Sequence, residues 1–213
     1  MAEQLTALSI MQDAPVIPVI VLRDVDHAVS MAKALVAGGI RVLEVTLRTP
    51  QGLPSIEAIA KAVPDAIIGA GTVRNAADAK AAANAGARFA VSPGYTHSVG
   101  QACRDLNLPL LPGVATGSEI MQAMEDGFKE LKFFPAMQAG GINMLKAWQG
   151  PFADVRFCPT GGVTPTNAPD FLALKNVVCV GGSWLVPTDT LERGDWAHIT
   201  MMAREAAALP RKD

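Results

Sequence analysis

The strongest constraint on the fold of this chain is a rhythm. Eight short apolar runs, rich in β-branched residues, recur along it: VIPVIVL (16–22), RVLEVTL (41–47), AIIGAG (66–71), RFAVSP (88–93), LPLLPGV (108–114), ELKFFP (130–135), VRFCPTGG (155–162) and NVVCVGGSWL (176–185). A segment of helical pattern follows each one: 25–37, near 52–62, the alanine-rich NAADAKAAANAG, then near 97–106, 117–126, 141–148, 165–173 and 195–208. Gly38-Gly39 and Gly86 close the first and third of these, because glycine takes the left-handed conformation that ends a helix. Strands alternating with helices imply a parallel sheet. Eight units predict an α/β fold, a (β/α)8 TIM barrel, compact beside the ~250 residues usual for it. A doubly wound open sheet is the alternative. Residues 1–14 read as an extra N-terminal helix. No linker, low-complexity segment or charge run divides the chain, so residues 1–213 are expected to form a single domain.

Composition removes several classes of function. Half of the 213 residues are hydrophobic and 18% are charged, which suits a compact protein with a sizeable core. The formal net charge of -2 leaves no electrostatic footprint for nucleic acid or an anionic membrane. Aromatics are only 5%, too few for base-stacking platforms. Cys103, Cys158 and Cys179 are odd in number, far apart and without metal spacing, so a reducing, cytoplasmic compartment is expected. His27, His97 and His198 are equally scattered, so no metal site is expected. The opening MAEQLTALSIMQDAP has neither the basic region nor the apolar run of a signal peptide. No apolar run is long enough to span a membrane.

Two ionisable residues break the apolar pattern of the strands. In RVLEVTLR one face carries Val42, Glu44, Thr46 and Arg48, and the other Leu43, Val45 and Leu47. The purely apolar face belongs under the helices, so Glu44 points into the barrel. In ELKFFP, Lys132 and Phe134 share a face, and Leu131 and Phe133 the other. Lys132 therefore points inward as well. One reading is an ion pair that fixes register, although desolvation makes such pairs weak stabilisers. The other is chemical. An ammonium has no lone pair, but an apolar setting such as Phe134 supplies favours the neutral amine. A neutral amine condenses with a ketone to a Schiff base, an electron sink for breaking the adjacent C–C bond. That chemistry needs a proton shuttle, and Glu44 is the acid placed to serve.

The strand ends add anion-binding signals. In a barrel the C-terminal ends of the strands form the catalytic face, and phosphate often binds after strands seven and eight. PTGGVTP and VGGSWL fall there and bring Gly161, Gly162, Gly181, Gly182 and Ser183, whose backbone N–H groups can approach an anion closely. A tight turn is the plain alternative. Arg48, past strand two, has the fork that matches a carboxylate. Thr72, closing strand three, can add a hydroxyl or cap the next helix, a role for which Asn75 competes.

Taken in order, GGIRVLEVTLRT, IIGAGTV, LKFFPA, RFCPTGGVTP and GGSWLVP resemble the 2-dehydro-3-deoxy-6-phosphogluconate aldolase family, lyases of the Entner–Doudoroff pathway, from about residue 15 to the last helix. The resemblance implies a class I aldolase that needs no metal or cofactor, works as a homotrimer, and yields pyruvate and glyceraldehyde 3-phosphate. It implies that Lys132 forms the Schiff base and Glu44 is the general acid/base. Arg48 and Thr72 would hold the substrate carboxylate, and Thr160 its hydroxyls. Gly161, Gly162, Gly182 and Ser183 would hold the phosphate, and Pro93 and Phe134 would line the pocket. Many relatives carry an acidic residue after FFPA where this chain has Met137, which bears on substrate preference. The same chemistry on 4-hydroxy-2-oxoglutarate or on 2-dehydro-3-deoxy-6-phosphogalactonate is the near alternative. A non-catalytic barrel that binds a phosphorylated ligand is the remote one.

Overall fold

The structure, a computed structural model, describes residues 5–211. A helix α1 (Ala7–Asp13) precedes β1 (Val16–Ile20), and a 3-10 turn (Val25–His27) leads into α2 (Ala28–Ala37). Then β2 (Val42–Thr46), α3 (Gly52–Ala62), β3 (Ile67–Gly71), α4 (Ala76–Asn84), β4 (Ala90–Val91) and α5 (His97–Asp105) alternate. The fifth strand is split into β5 (Leu110–Leu111) and β6 (Gly113–Val114) and precedes α6 (Gly117–Glu125). After β7 (Glu130–Phe133), α7 (Gly141–Trp148), β8 (Arg156–Pro159) and α8 (Ala168–Leu172), β9 (Val180–Gly182) leads to α9 (Thr188–Glu192) and α10 (Trp196–Ala207).

All strand pairs are parallel, in the order β5-β4-β3-β2-β1-β9, with β6-β7-β8 as a second run. Pro112, which has no N–H to give a ladder, divides β5 from β6. On the other side, bridges Phe157 to Val177 and Thr160 to Gly181 join β8 to β9. The Phe157 N–H donates to the Asn176 carbonyl at 2.8 Å and the Val178 N–H to that of Phe157 at 3.1 Å. The sheet thus closes into a (β/α)8 barrel, and the open-sheet alternative falls. The helical segment expected over 165–173 is α-helical only over Ala168–Leu172. Before it, the Asn167 side chain accepts the Thr164 N–H and donates to the Gly162 carbonyl, holding an irregular turn. α9 was not expected from the sequence.

Two apolar clusters show which way the strands face. Leu43, Val45, Leu131 and Phe133 belong to the larger one, between barrel and helices. Ile17, Val42, Phe89, Val91, Leu111, Cys158 and Cys179 fill the barrel interior with Ile10 and Met11 of α1. The helix expected over residues 1–14 is therefore a plug at the N-terminal pole. Residues 1–4 of that expectation lie outside the described residues. Ile10 and Met11 are fully buried, each contributing about 1.5–3 kcal/mol of transfer free energy. The plug is capped by Thr6 and Ser9, each side chain bonded to the other's backbone N–H.

Candidate active site

Glu44 at the middle of β2 and Lys132 on β7 point into the barrel from different strands and meet above the apolar floor. Lys132 Nζ donates to Glu44 Oε1 at 3.2 Å. Their side chains are only 4% and 3% exposed. A desolvated pair of this kind is held only while both partners are present, since removing one strands the other's charge. Lys132 Nζ also stands 5.4 Å from the centre of the Phe134 ring, within the range of cation–π attraction.

Gly71 makes room for the carboxylate. A Cβ at that position would lie 2.7 Å from Glu44 Cγ and 2.9 Å from Cδ, inside van der Waals contact. The next residue, Thr72, is a β-branched residue at φ 61, an outlying conformation that persists only where the surroundings impose it. Its Oγ1 accepts the Arg48 Nε–H at 3.1 Å. Asn75, not Thr72, caps α4, its side chain accepting the Asp78 N–H at 2.8 Å. Arg48 and Thr72 thus form a polar shelf beside Glu44, with the exposed guanidinium facing solvent.

The glycine ends meet on the far side of Lys132. Thr160 is buried, its hydroxyl donating to the Cys158 carbonyl at 3.3 Å. It abuts Gly181, where a Cβ would lie 2.9 Å from Thr160 Cγ2. Gly161 and Gly162 have φ of 101 and 75, conformations open to glycine. Their N–H groups have no acceptor among the described residues. Met137 lies against this turn: a Cβ at Gly162 would come within 2.9 Å of Met137 Cβ. Phe134 Cδ2 is 3.4 Å from a Cβ placed at Gly161, so the aromatic ring links the lysine to the glycine turn. Gly182 is packed against Trp184, and Ser183 is exposed beside it. Pro93 reaches the site through Gly113, where a Cβ would lie 2.5 Å from its carbonyl oxygen.

Three contributors gave little signal in the sequence. Gly71 is one glycine among 19. Buried Ser92 accepts the Gly113 N–H at 3.3 Å, a contact between strands that only the closed barrel creates. Cys158 pairs with Lys132 in the β7–β8 register and faces the interior beside Cys179. Burial, with the Cys158 sulfur nearby, pushes the Cys179 thiol well above its ordinary value. A cavity of about 850 Å³ lies elsewhere, lined by Leu8, Gln12, Glu130, Arg156 and Arg211 among others at the opposite pole.

The family model for KDPG and KHG aldolases matches residues 8–202. The chain belongs to this aldolase family. It is 57% identical over 201 residues to the KHG/KDPG aldolase of Escherichia coli (strain K12), covering 94% of each chain. Among solved structures, it is similar to the KDPG aldolase of Legionella pneumophila with pyruvate captured at low pH as a covalent carbinolamine intermediate. That match has a TM-score of 0.94 at 45% identity and covers 97% of this chain and 100% of the other. The 2-keto-3-deoxy-6-phosphogluconate aldolase of Zymomonas mobilis ZM4 with 3-phosphoglycerate gives a TM-score of 0.93 at 47% identity, covering 98% of both. No helix among the described residues is long and apolar enough to cross a membrane.

Proposed function

We propose that this chain is a class I aldolase that cleaves 2-dehydro-3-deoxy-6-phosphogluconate to pyruvate and glyceraldehyde 3-phosphate. The observation that carries the reading is the sealed Lys132–Glu44 pair, with the amine at 3.2 Å from the carboxylate in a chain of this family. Arg48 and Thr72 bind the C1 carboxylate. The Lys132 amine adds to the C2 ketone, giving a carbinolamine, and loss of water gives the iminium. Glu44, acting through a water, takes the C4 hydroxyl proton. The C3–C4 electron pair moves into the iminium, the aldehyde departs, and the enamine of pyruvate stays on Lys132. Glu44 returns a proton to C3, and hydrolysis frees pyruvate. One carboxyl group serves twice because its protonation alternates through the cycle. Thr160 contacts the substrate hydroxyls. The N–H groups of Gly161, Gly162, Gly182 and the Ser183 hydroxyl hold the phosphate, and Pro93 and Phe134 wall the pocket.

Borohydride reduction in the presence of pyruvate, followed by mass mapping, tests this directly. The expected adduct is on Lys132. It is absent from Lys132→Arg, which keeps the charge but forms no imine here and loses turnover. An adduct on a different lysine, or turnover in Lys132→Arg, would remove Lys132 from the nucleophile's role.

A second reading, preference for 4-hydroxy-2-oxoglutarate, is favoured by the shared KHG/KDPG name of the Escherichia coli relative. Ser183→Ala separates the two, because it raises KM for a phosphorylated substrate and leaves an unphosphorylated one unaffected. The subunit is read as a homotrimer. The partly exposed apolar strip of Pro165, Trp184, Met201, Met202 and Leu209 is surface that assembly can bury, and sedimentation equilibrium gives the subunit number. The three free thiols suit a reducing compartment, hence a cytoplasmic location.

A further inference from the structure

A knot of polar side chains outside the site ties together two segments that end in it. Tyr95, in the loop after β4, is buried, and its hydroxyl donates to Asp126 Oδ2 at 2.5 Å. The same carboxylate meets His97 Nδ1 at 2.9 Å. Arg104 donates to the Asp126 backbone carbonyl at 2.7 Å and lies 5.4 Å over the Phe128 ring. Phe128 in turn meets the Tyr95 ring edge-on, with 5.5 Å between centres. The ring pair fits so closely that a Cβ at Gly100 would come within 2.7 Å of the Tyr95 oxygen and 2.9 Å of Phe128.

Both ends of this knot lead to Lys132. Phe128 stands four residues before it on the same chain, at the approach to β7. Tyr95 stands two residues after Pro93, whose carbonyl oxygen would lie 2.5 Å from a Cβ placed at Gly113. Gly113 is the β6 residue paired with Lys132, and the Lys132 N–H donates to the carbonyl of neighbouring Pro112 at 2.9 Å. A packed route therefore runs from Asp126 through Tyr95, Pro93 and Gly113 to the lysine backbone. The route has no slack at Gly113, where even a methyl group has no room.

We propose that Tyr95 and Asp126 are positioning residues for the Schiff-base lysine: their hydrogen bond braces the Pro93 wall against the strand that holds Lys132. The proposal rests on Lys132 being the nucleophile. Neither residue touches substrate, so the brace acts on amine addition and not on phosphate or carboxylate binding.

Tyr95→Phe keeps the ring and deletes the bond. The test measures the rate of borohydride-trappable adduct formation with pyruvate, alongside the urea unfolding midpoint. A displacement well below 1 Å is expected to slow adduct formation about tenfold, since a full ångström costs about a hundredfold, with pyruvate KM nearly unchanged. Asp126→Asn retains an oxygen that accepts the phenol proton and is expected to keep most of the rate, whereas Asp126→Ala is expected to fall with Tyr95→Phe. Wild-type rates in folded Tyr95→Phe and Asp126→Ala would overturn the proposal and leave the knot a purely structural contact. Equal loss in Asp126→Asn and Asp126→Ala would overturn it as well, because the shared defect would not be the hydrogen bond. If the wild type itself forms no Lys132 adduct, the aldolase reading fails first, so the two failures are told apart.

Discussion

Gly71→Ala puts the shape of the site to a quantitative test without touching an ionisable group. The new methyl carbon would stand 2.7 Å from Glu44 Cγ and 2.9 Å from Cδ. Ordinary carbon contacts are about 3.5–4.0 Å, so the carboxyl group must withdraw by roughly 1 Å. Gly71 lies at the end of β3 with Thr46 as its partner on β2, and its φ is not left-handed. The backbone therefore accepts alanine, and Glu44 is what must yield. The 3.2 Å approach of Glu44 Oε1 to Lys132 Nζ then opens to about 4 Å, beyond hydrogen-bond range. A misplacement of about 1 Å costs on the order of a hundredfold in rate, or about 2.7 kcal/mol of barrier. Overpacking separately destabilises the fold by about 1–3 kcal/mol. The assay is steady-state release of pyruvate, with borohydride trapping of pyruvate in parallel. Turnover should fall by about two orders of magnitude while Lys132 still forms its adduct. Wild-type turnover in a folded Gly71→Ala variant would refute the argument that Glu44 must stand where it does.

Three further outcomes follow from other parts of the molecule. Thr72→Gly releases about 1–3 kcal/mol of backbone strain against about 0.4–1 kcal/mol of added unfolded-state entropy, so urea unfolding should show a small gain in stability while turnover drops through loss of the Arg48 partner. The Tyr95 hydroxyl, then His97 and Arg104, hold the Asp126 carboxyl below its usual range; a depressed carboxyl stabilises the fold fully above its unfolded value of about 3.9 and loses that contribution as pH falls through the folded value, so Asp126→Asn should show a shallower loss of stability in acid across this window. Burial pushes the Cys103 thiol up to about 11 and Cys179 well above its ordinary range, so iodoacetamide at neutral pH should label the folded protein slowly at both and rapidly once urea unfolds it.

Much of the site was legible because strand periodicity reports direction. Glu44 and Lys132 each interrupt an apolar strand on the face opposite to its neighbours, and two such interruptions in one closed barrel have little space in which to avoid each other. The glycine turns were legible because their number and their place after the seventh and eighth strands carry backbone meaning. What escaped is set by closure. Nothing local in LPLLPGV shows that Pro112 will divide a strand, because the ladder it cannot join belongs to a neighbour. The space above Gly71 exists only once Glu44 leans over it from β2. Tyr95 and Asp126 are 31 positions apart, and no periodicity links them. The short α9 follows Pro187 without a side-chain cap, and only Asp189 in its first turn signals a start.

The plug at the N-terminal pole decides traffic. Ile10 and Met11 shut the lower end of the barrel, and Val42, Phe89 and Leu111 fill the space above them, so among the described residues the door to Lys132 is at the C-terminal ends of the strands. In the proposed reaction the aldehyde half lies toward that door, against the glycine turns, and the pyruvyl half is tethered behind it. The order of departure is then a matter of depth: glyceraldehyde 3-phosphate must clear the passage before pyruvate can follow, and in the synthetic direction pyruvate must be seated first.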